Sequence, residues 1–211
     1  MTDILSLLDG HRVIPVVVVD AASCADPLAD ALVDGGMPIA EVTYRTAAAD
    51  DALRTIAARG DVLVGAGSVR TADQVDLAVA GGARFIVSPG LSEAVVLRCQ
   101  SLDIPIVPGI ATATELMRAL DLGVEIVKLF PAGIIGGPSA VRDLSAPFPS
   151  VRFVPTGGVN RANLVDYLSL PSVIAVGGSW MVARDLIANA RFDEIRQLAA
   201  EAASLASEVA A

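Results

Sequence analysis

One lysine, Lys128, stands in a chain of 211 residues that carries fourteen arginines. It lies inside an apolar run, Glu125-Ile126-Val127-Lys128-Leu129-Phe130. A bias that replaces surface lysine by arginine explains why lysine is rare. It does not explain where the survivor sits. Side chains alternate along a strand, so Ile126, Lys128 and Phe130 share a face. Burying an ammonium without a partner is costly. Desolvation favours the neutral amine, the form that attacks a carbonyl and makes a Schiff base. A lysine at a strand end, with its head in water or on a carboxylate, has the same sequence signature.

A second group is Glu41-Val42-Thr43-Tyr44-Arg45-Thr46. In an extended segment Ile39, Glu41, Thr43 and Arg45 fall on one face. A half-buried Glu41 is suited to carry protons. Arg45 is suited either to pair with Glu41 or to bind a substrate carboxylate. The third group is a pair of glycine loops, Thr156-Gly157-Gly158 and Gly177-Gly178-Ser179. Each is expected to open a helix, where backbone N–H groups and the helix dipole attract an anion such as phosphate. Tight-turn geometry alone also produces such pairs.

These residues need elements to hold them. Eight short β-rich runs start at Val13, Ile39, Val62, Arg84, Ile104, Glu125, Arg152 and Val173, at spacings of 20 to 27 residues. Between them lie Ala/Leu-rich stretches of helical period. Their apolar faces are Leu28, Leu32 and Val33, then Leu53, Ile56 and Ala57, then Val75, Leu77, Ala78 and Val79. Leu116, Ala119 and Leu120 follow, then Leu164, Val165 and Leu168. Glycines close several of these helices: Gly35-Gly36, Gly60, Gly81-Gly82 and Gly123. This alternation predicts parallel strands with crossover helices. Eight units predict one α/β domain over residues 1–211, a (β/α)8 TIM barrel. Asp3 to Leu8 is an N-terminal capping helix and Phe192 to Val209 a terminal helix. All the chemical groups above then fall at strand C-termini, where such barrels place their active sites.

Composition narrows the function. Hydrophobic residues make up 54%, charged residues 18%, and mean hydropathy is +0.61, which excludes a disordered chain. The longest uncharged stretch, Tyr167 to Ala183, contains Pro171, Gly177, Gly178 and three serines, a poor membrane span. No signal peptide is visible at the N-terminus. The apolar excess therefore belongs in a sheet buried on both faces, in a cytoplasmic protein. A net charge of −9 and a pI near 4.5 argue against nucleic acid and anionic membranes as partners. Cys24 and Cys99 lack metal-ligand spacing and read as reduced thiols. The one histidine, His11, is in the wrong segment for a triad or a metal site at the strand ends.

Taken jointly, the motifs resemble the 2-keto-3-deoxy-6-phosphogluconate (KDPG) aldolase family, which overlaps the 4-hydroxy-2-oxoglutarate aldolases. The matching pieces are Val13-Ile14-Pro15-Val16, Glu41-Val42-Thr43-Tyr44-Arg45-Thr46, Gly65-Ala66-Gly67-Ser68-Val69, Ser88-Pro89-Gly90 and Pro108-Gly109. They continue with Val127-Lys128-Leu129-Phe130-Pro131-Ala132, Pro155-Thr156-Gly157-Gly158-Val159 and Gly177-Gly178-Ser179-Trp180. They span nearly the whole chain in family order.

The resemblance implies a class I aldolase that needs no metal or cofactor and assembles as a homotrimer. Lys128 forms the Schiff base with the C2 keto carbon, and Glu41 is the general acid/base, acting through a water. Arg45 and Ser68 hold the pyruvate carboxylate near Pro89 and Phe130. Thr156, Gly157, Gly158, Gly178 and Ser179 hold the 6-phosphate. The products are pyruvate and glyceraldehyde 3-phosphate in the Entner-Doudoroff pathway. Two positions depart from the family pattern. Ser68 stands where Thr is common, which keeps the hydroxyl and loses a methyl. Tyr44 stands where Leu is usual, on the face opposite Glu41. Related readings are cleavage of 4-hydroxy-2-oxoglutarate to pyruvate and glyoxylate, and an aldolase for the C4-epimeric galactonate substrate. A metal-dependent barrel lacks its histidine ligands. A non-catalytic barrel that binds a phosphorylated metabolite leaves Lys128 without a purpose.

Overall fold

The β-branched runs form strands because their side chains are buried on both sides of a parallel sheet. In a computed structural model, which describes residues 7–8 and 10–210, they are β1 (Val13–Val17), β2 (Ile39–Thr43), β3 (Leu63–Gly67), β4 (Ile86–Val87), β5 (Ile106–Val107), β6 (Gly109–Ile110), β7 (Ile126–Leu129), β8 (Arg152–Phe153) and β9 (Val176–Gly178). Parallel pairing gives a six-stranded sheet in the order β5-β4-β3-β2-β1-β9 and a three-stranded sheet, β6-β7-β8. Parallel bridges at Phe153–Val173 and Thr156–Gly177 join the segment around β8 to β9 and the residues just before it.

The fifth expected strand is divided at Pro108, so the described residues hold nine strands where eight are expected. Proline has no N–H to give a ladder, but its carbonyl still accepts from the Lys128 N–H at 2.8 Å.

The helices are α1 (Ala25–Asp34), α2 (Ala49–Arg59), α3 (Ala72–Ala80), α4 (Glu93–Ser101), α5 (Ala113–Asp121), α6 (Gly137–Ser145), α7 (Leu164–Leu168), α8 (Arg184–Ala188) and α9 (Phe192–Ala210). Local chemistry sets several starts. Thr71 caps α3, and Thr112 and Glu115 form a capping box on α5. The expected capping helix Asp3–Leu8 lies outside the described residues except for Leu7 and Leu8, which are helical. The terminal helix α9 packs on α1. A Cβ at Gly35 would collide with Ala199 and the Arg196 carbonyl, so only glycine permits this approach.

Strand alternation sorts the apolar residues into two cores. One lies on the concave face: Leu8, Ile14, Ile39, Phe85, Val87, Val107, Ile126, Val154 and Ala175. The other lies between sheet and helices and includes Val17, Val42, Ile86, Val127 and Leu129 against Leu28, Leu32, Leu53, Ile56 and Leu116. Two residues expected on helix core faces point outward instead, Leu77 at 43% exposure and Val165 at 39%. A helix advances about 100° per residue, so Leu77 lies about 200° round from the buried Val75.

Phe85 is fully buried in the concave core, its ring against the bare Cα of Gly65. Phe85→Ala is expected to lower the unfolding free energy by about 3–5 kcal/mol, measured by urea titration. Leu77→Ser on the outer surface is expected to change it by about 0.5 kcal/mol or less.

Candidate active site

The concave face is apolar at the strand starts and polar at the strand ends. Glu41 of β2 and Lys128 of β7 meet there, although 87 residues separate them. The Lys128 Nζ donates to Glu41 Oε1 at 3.1 Å and Oε2 at 3.3 Å. Both are almost wholly buried, Glu41 at 2% exposure and Lys128 at 3%. Register sets this meeting: Glu41 pairs with Gly65 and Lys128 with Gly109 across their neighbouring strands. A Cβ on Gly67 would strike the Glu41 carboxylate, so its absence gives the acid its place. The Lys128 Nζ also lies 5.5 Å from the centre of the Phe130 ring, within cation–π reach.

The two possibilities open for Arg45 now separate. It does not pair with Glu41; its Nε donates to Ser68 Oγ at 2.8 Å. Ser68 holds a left-handed backbone, φ 57°, uncommon outside glycine. Such strain tends to collect at functional sites. Tyr44 points away, as its alternation requires, and its hydroxyl donates to Asp50 Oδ1 at 3.1 Å. Burial beside that carboxylate raises the Tyr44 phenol far above its ordinary range. Pro89 is half-buried, its carbonyl group pressed onto the bare Cα of Gly109. The neighbouring Ser88 hydroxyl donates to the Gly90 carbonyl at 2.8 Å.

Beside this pair opens a cleft of about 330 Å³. Phe130 and Arg45 line it, together with Thr156, Gly157, Gly158, Gly178 and Ser179. The glycine loops do not each begin an α-helix. Gly157 and Gly158 have φ of 88° and 85°, values no helical first turn can use. The helix α7 starts only at Leu164. Asn163 fastens the intervening turn by donating to the Gly158 carbonyl at 2.9 Å. After the second loop, Ser179 precedes a single 3-10 turn, Trp180–Val182. What the loops offer is N–H groups. Among the described residues those of Gly157, Gly158 and Ser179 meet no protein acceptor.

Sequence reading assigned no role to Trp180 or Arg184 of the cleft wall, nor to Asp20, which holds Arg184. The Trp180 ring lies against the bare Cα of Gly178. Arg184, at the start of α8, also lines the wall and is gripped by Asp20. Asp20 directly follows the first apolar run, so inspecting that strand's end as well would have shown it. Arg184 carried no signal among fourteen arginines.

The remaining candidates lie elsewhere. His11 borders surface hollows at the strand starts. Both cysteines are free, and burial pushes the Cys99 thiol up to about 12. No helix among the described residues is long and apolar enough to cross a membrane.

Comparison with known proteins agrees with this geometry. The family model for KDPG and KHG aldolases matches residues 4–198. A 2-dehydro-3-deoxy-phosphogluconate aldolase of Treponema pallidum is 46% identical over 199 residues, 94% of this chain and 95% of the relative. Among solved structures, the KDPG aldolase of Legionella pneumophila, with pyruvate captured as a covalent carbinolamine, superposes with a TM-score of 0.91. Its identity is 41%, over 94% of this chain and 97% of that one. The KDPG aldolase of Zymomonas mobilis ZM4 with 3-phosphoglycerate gives a TM-score of 0.90 at 38% identity, covering 97% of each chain. A buried lysine–glutamate pair beside a glycine-lined cleft thus occurs in a chain that belongs to the KDPG and KHG aldolase family.

Proposed function

We propose that this aldolase cleaves 2-keto-3-deoxy-6-phosphogluconate to pyruvate and glyceraldehyde 3-phosphate through a Schiff base on Lys128. The observation that carries the reading is the buried contact between Lys128 Nζ and the Glu41 carboxylate at 3.1 Å. Glu41 accepts a proton from the ammonium and leaves a neutral amine, which adds to the C2 carbonyl. Glu41 returns that proton to the carbinolamine hydroxyl, which leaves as water and gives a protonated imine, with Glu41 again a carboxylate. Glu41 then takes the proton of the C4 hydroxyl, directly or through a water, and the C3–C4 bond breaks. Its electrons pass into the imine as an enamine, and the aldehyde departs. A proton returned to C3 and hydrolysis of the imine release pyruvate and free Lys128.

The rest of the site divides by charge. The Arg45 guanidinium and the Ser68 hydroxyl take the keto-acid carboxylate, with Pro89 and Phe130 as its walls. Thr156, Gly157, Gly158, Gly178 and Ser179 take the phosphate. The unpartnered N–H groups of these loops support that assignment, as does the carbinolamine formed by pyruvate in the Legionella relative. The family description also names KHG aldolase, which favours 4-hydroxy-2-oxoglutarate as a second substrate.

We read the two sheets as arcs of one closed (β/α)8 barrel, a single domain over 1–211, with β5 and β6 as halves of one strand. The bridges at Phe153–Val173 and Thr156–Gly177 support closure. The same proposal includes a cytoplasmic homotrimer that uses no metal.

Incubation with pyruvate and borohydride is expected to leave one reduced adduct on Lys128, located by peptide mapping. The N-terminus is the one competing amine. Folded protein without an adduct overturns the mechanism and favours a binding barrel. Glu41→Gln is expected to lower kcat by about 10²–10⁴-fold, with circular dichroism confirming the fold. Cleavage is expected to survive EDTA unchanged; loss restored by added metal defeats the metal-free reading. Rates on the C4 epimer identify the preferred sugar acid.

A further inference from the structure

We propose that Arg184 determines specificity for the distal phosphate: its guanidinium, held at the cleft by Asp20, separates phosphorylated from unphosphorylated 2-keto acids. This rests on the aldolase reading above and deepens it.

The glycine loops direct N–H groups at an anion but add no net charge, whereas a phosphate dianion calls for a cation. Among the residues lining the cleft only Arg45 and Arg184 are cationic. Arg45 is already joined to Ser68. Arg184 follows the second glycine loop in the chain and lines the same cleft as Ser179, Trp180 and Ala183.

Its side chain is already oriented. The Nε donates to Asp20 Oδ2 at 2.7 Å and Nη2 to Oδ1 at 2.6 Å, a bidentate fork. That uses two of the five guanidinium N–H donors. Among the described residues the other three meet no protein acceptor, and they remain for a ligand. The two partners come from neighbouring strands: Asp20 follows β1, Arg184 follows β9, and β1 pairs with β9 through Pro15 and Gly178. Each side chain is 43–64% exposed, so substrate has access. The Arg184 hydrogen bonds hold the Asp20 carboxyl below its usual range, so the fork persists through the neutral pH range. A guanidinium fixed beforehand loses less rotamer freedom when the phosphate arrives.

The competing role is a strap that fixes the two loops without touching substrate. Steady-state kinetics on KDPG and on its unphosphorylated analogue, 2-keto-3-deoxygluconate, separate the two. Arg184→Ala is expected to lower the ratio of kcat/KM, phosphorylated over unphosphorylated, by about tenfold to a hundredfold, chiefly through KM. Arg184→Lys is expected to recover part of that, since it restores a point charge but not the fork. Asp20→Asn, which loosens the arginine without removing it, is expected to cost less than Arg184→Ala. Equal losses on both substrates in Arg184→Ala and Asp20→Asn, or a ratio in Arg184→Ala that stays within about twofold of the parent, overturn the proposal. Pyruvate trapping by borohydride reads the aldolase mechanism separately. An adduct on Lys128 with an unmoved ratio defeats only the role of Arg184, and no adduct on the parent enzyme defeats both.

Discussion

A carboxylate and an ammonium sit together at 2–3% exposure, and the arrangement around them answers to that fact. Either charge alone in this place would be severely penalised. Together they satisfy one another, but such a pair still seldom stabilises a fold more than well-packed apolar groups would. The compensation is chemical. In the proposed reaction one proton passed across the 3.1 Å hydrogen bond converts two charges into a neutral acid and a neutral amine without exporting charge from the site. A lysine facing open solvent would have no such local route to its nucleophilic form.

The pair imposes its demands on the concave face. That space is narrow, and large side chains there are matched to bare backbone. Phe85 lies against Gly65, Glu41 against Gly67, and Thr156 against Gly177. Apolar members of this set sit toward the strand starts and polar members toward the ends. A parallel sheet makes the division possible because every strand end emerges on the same side. The close packing of the interior therefore couples stability to the site: a methyl group at Gly67 would displace the carboxylate that meets Lys128.

What the sequence made legible follows from types and spacing. Lys128 was visible as the one lysine in an apolar strand, and Glu41 by its place on the inward face of β2. The strand rhythm located eight units, and the motifs gathered into a family likeness. Backbone conformation was less legible. The left-handed turns at Gly157 and Gly158 displace the helix to Leu164 and replace a helix-dipole site by loop N–H groups. Pro108 split a strand because its missing N–H interrupts a ladder that period-two patterning counts as continuous. The choice of Ser68 over Glu41 by Arg45 is a side-chain orientation, which alternation alone does not encode.

Least legible was the Asp20–Arg184 fork, between common residue types 164 positions apart. Its physics bears on its purpose. Both groups are substantially exposed, and an exposed ion pair contributes little to folding. The paired strands β1 and β9 already hold this part of the sheet through their backbone ladder. The fold therefore has little need of the fork as a fastener. What the fork does accomplish is orientation: it fixes a planar cation at the wall of a cleft whose other groups are mostly neutral backbone. In the proposed reaction Lys128 and Arg184 become the two ends of one design, a cation buried against its acid for chemistry and a cation tethered by its acid in the open for recognition.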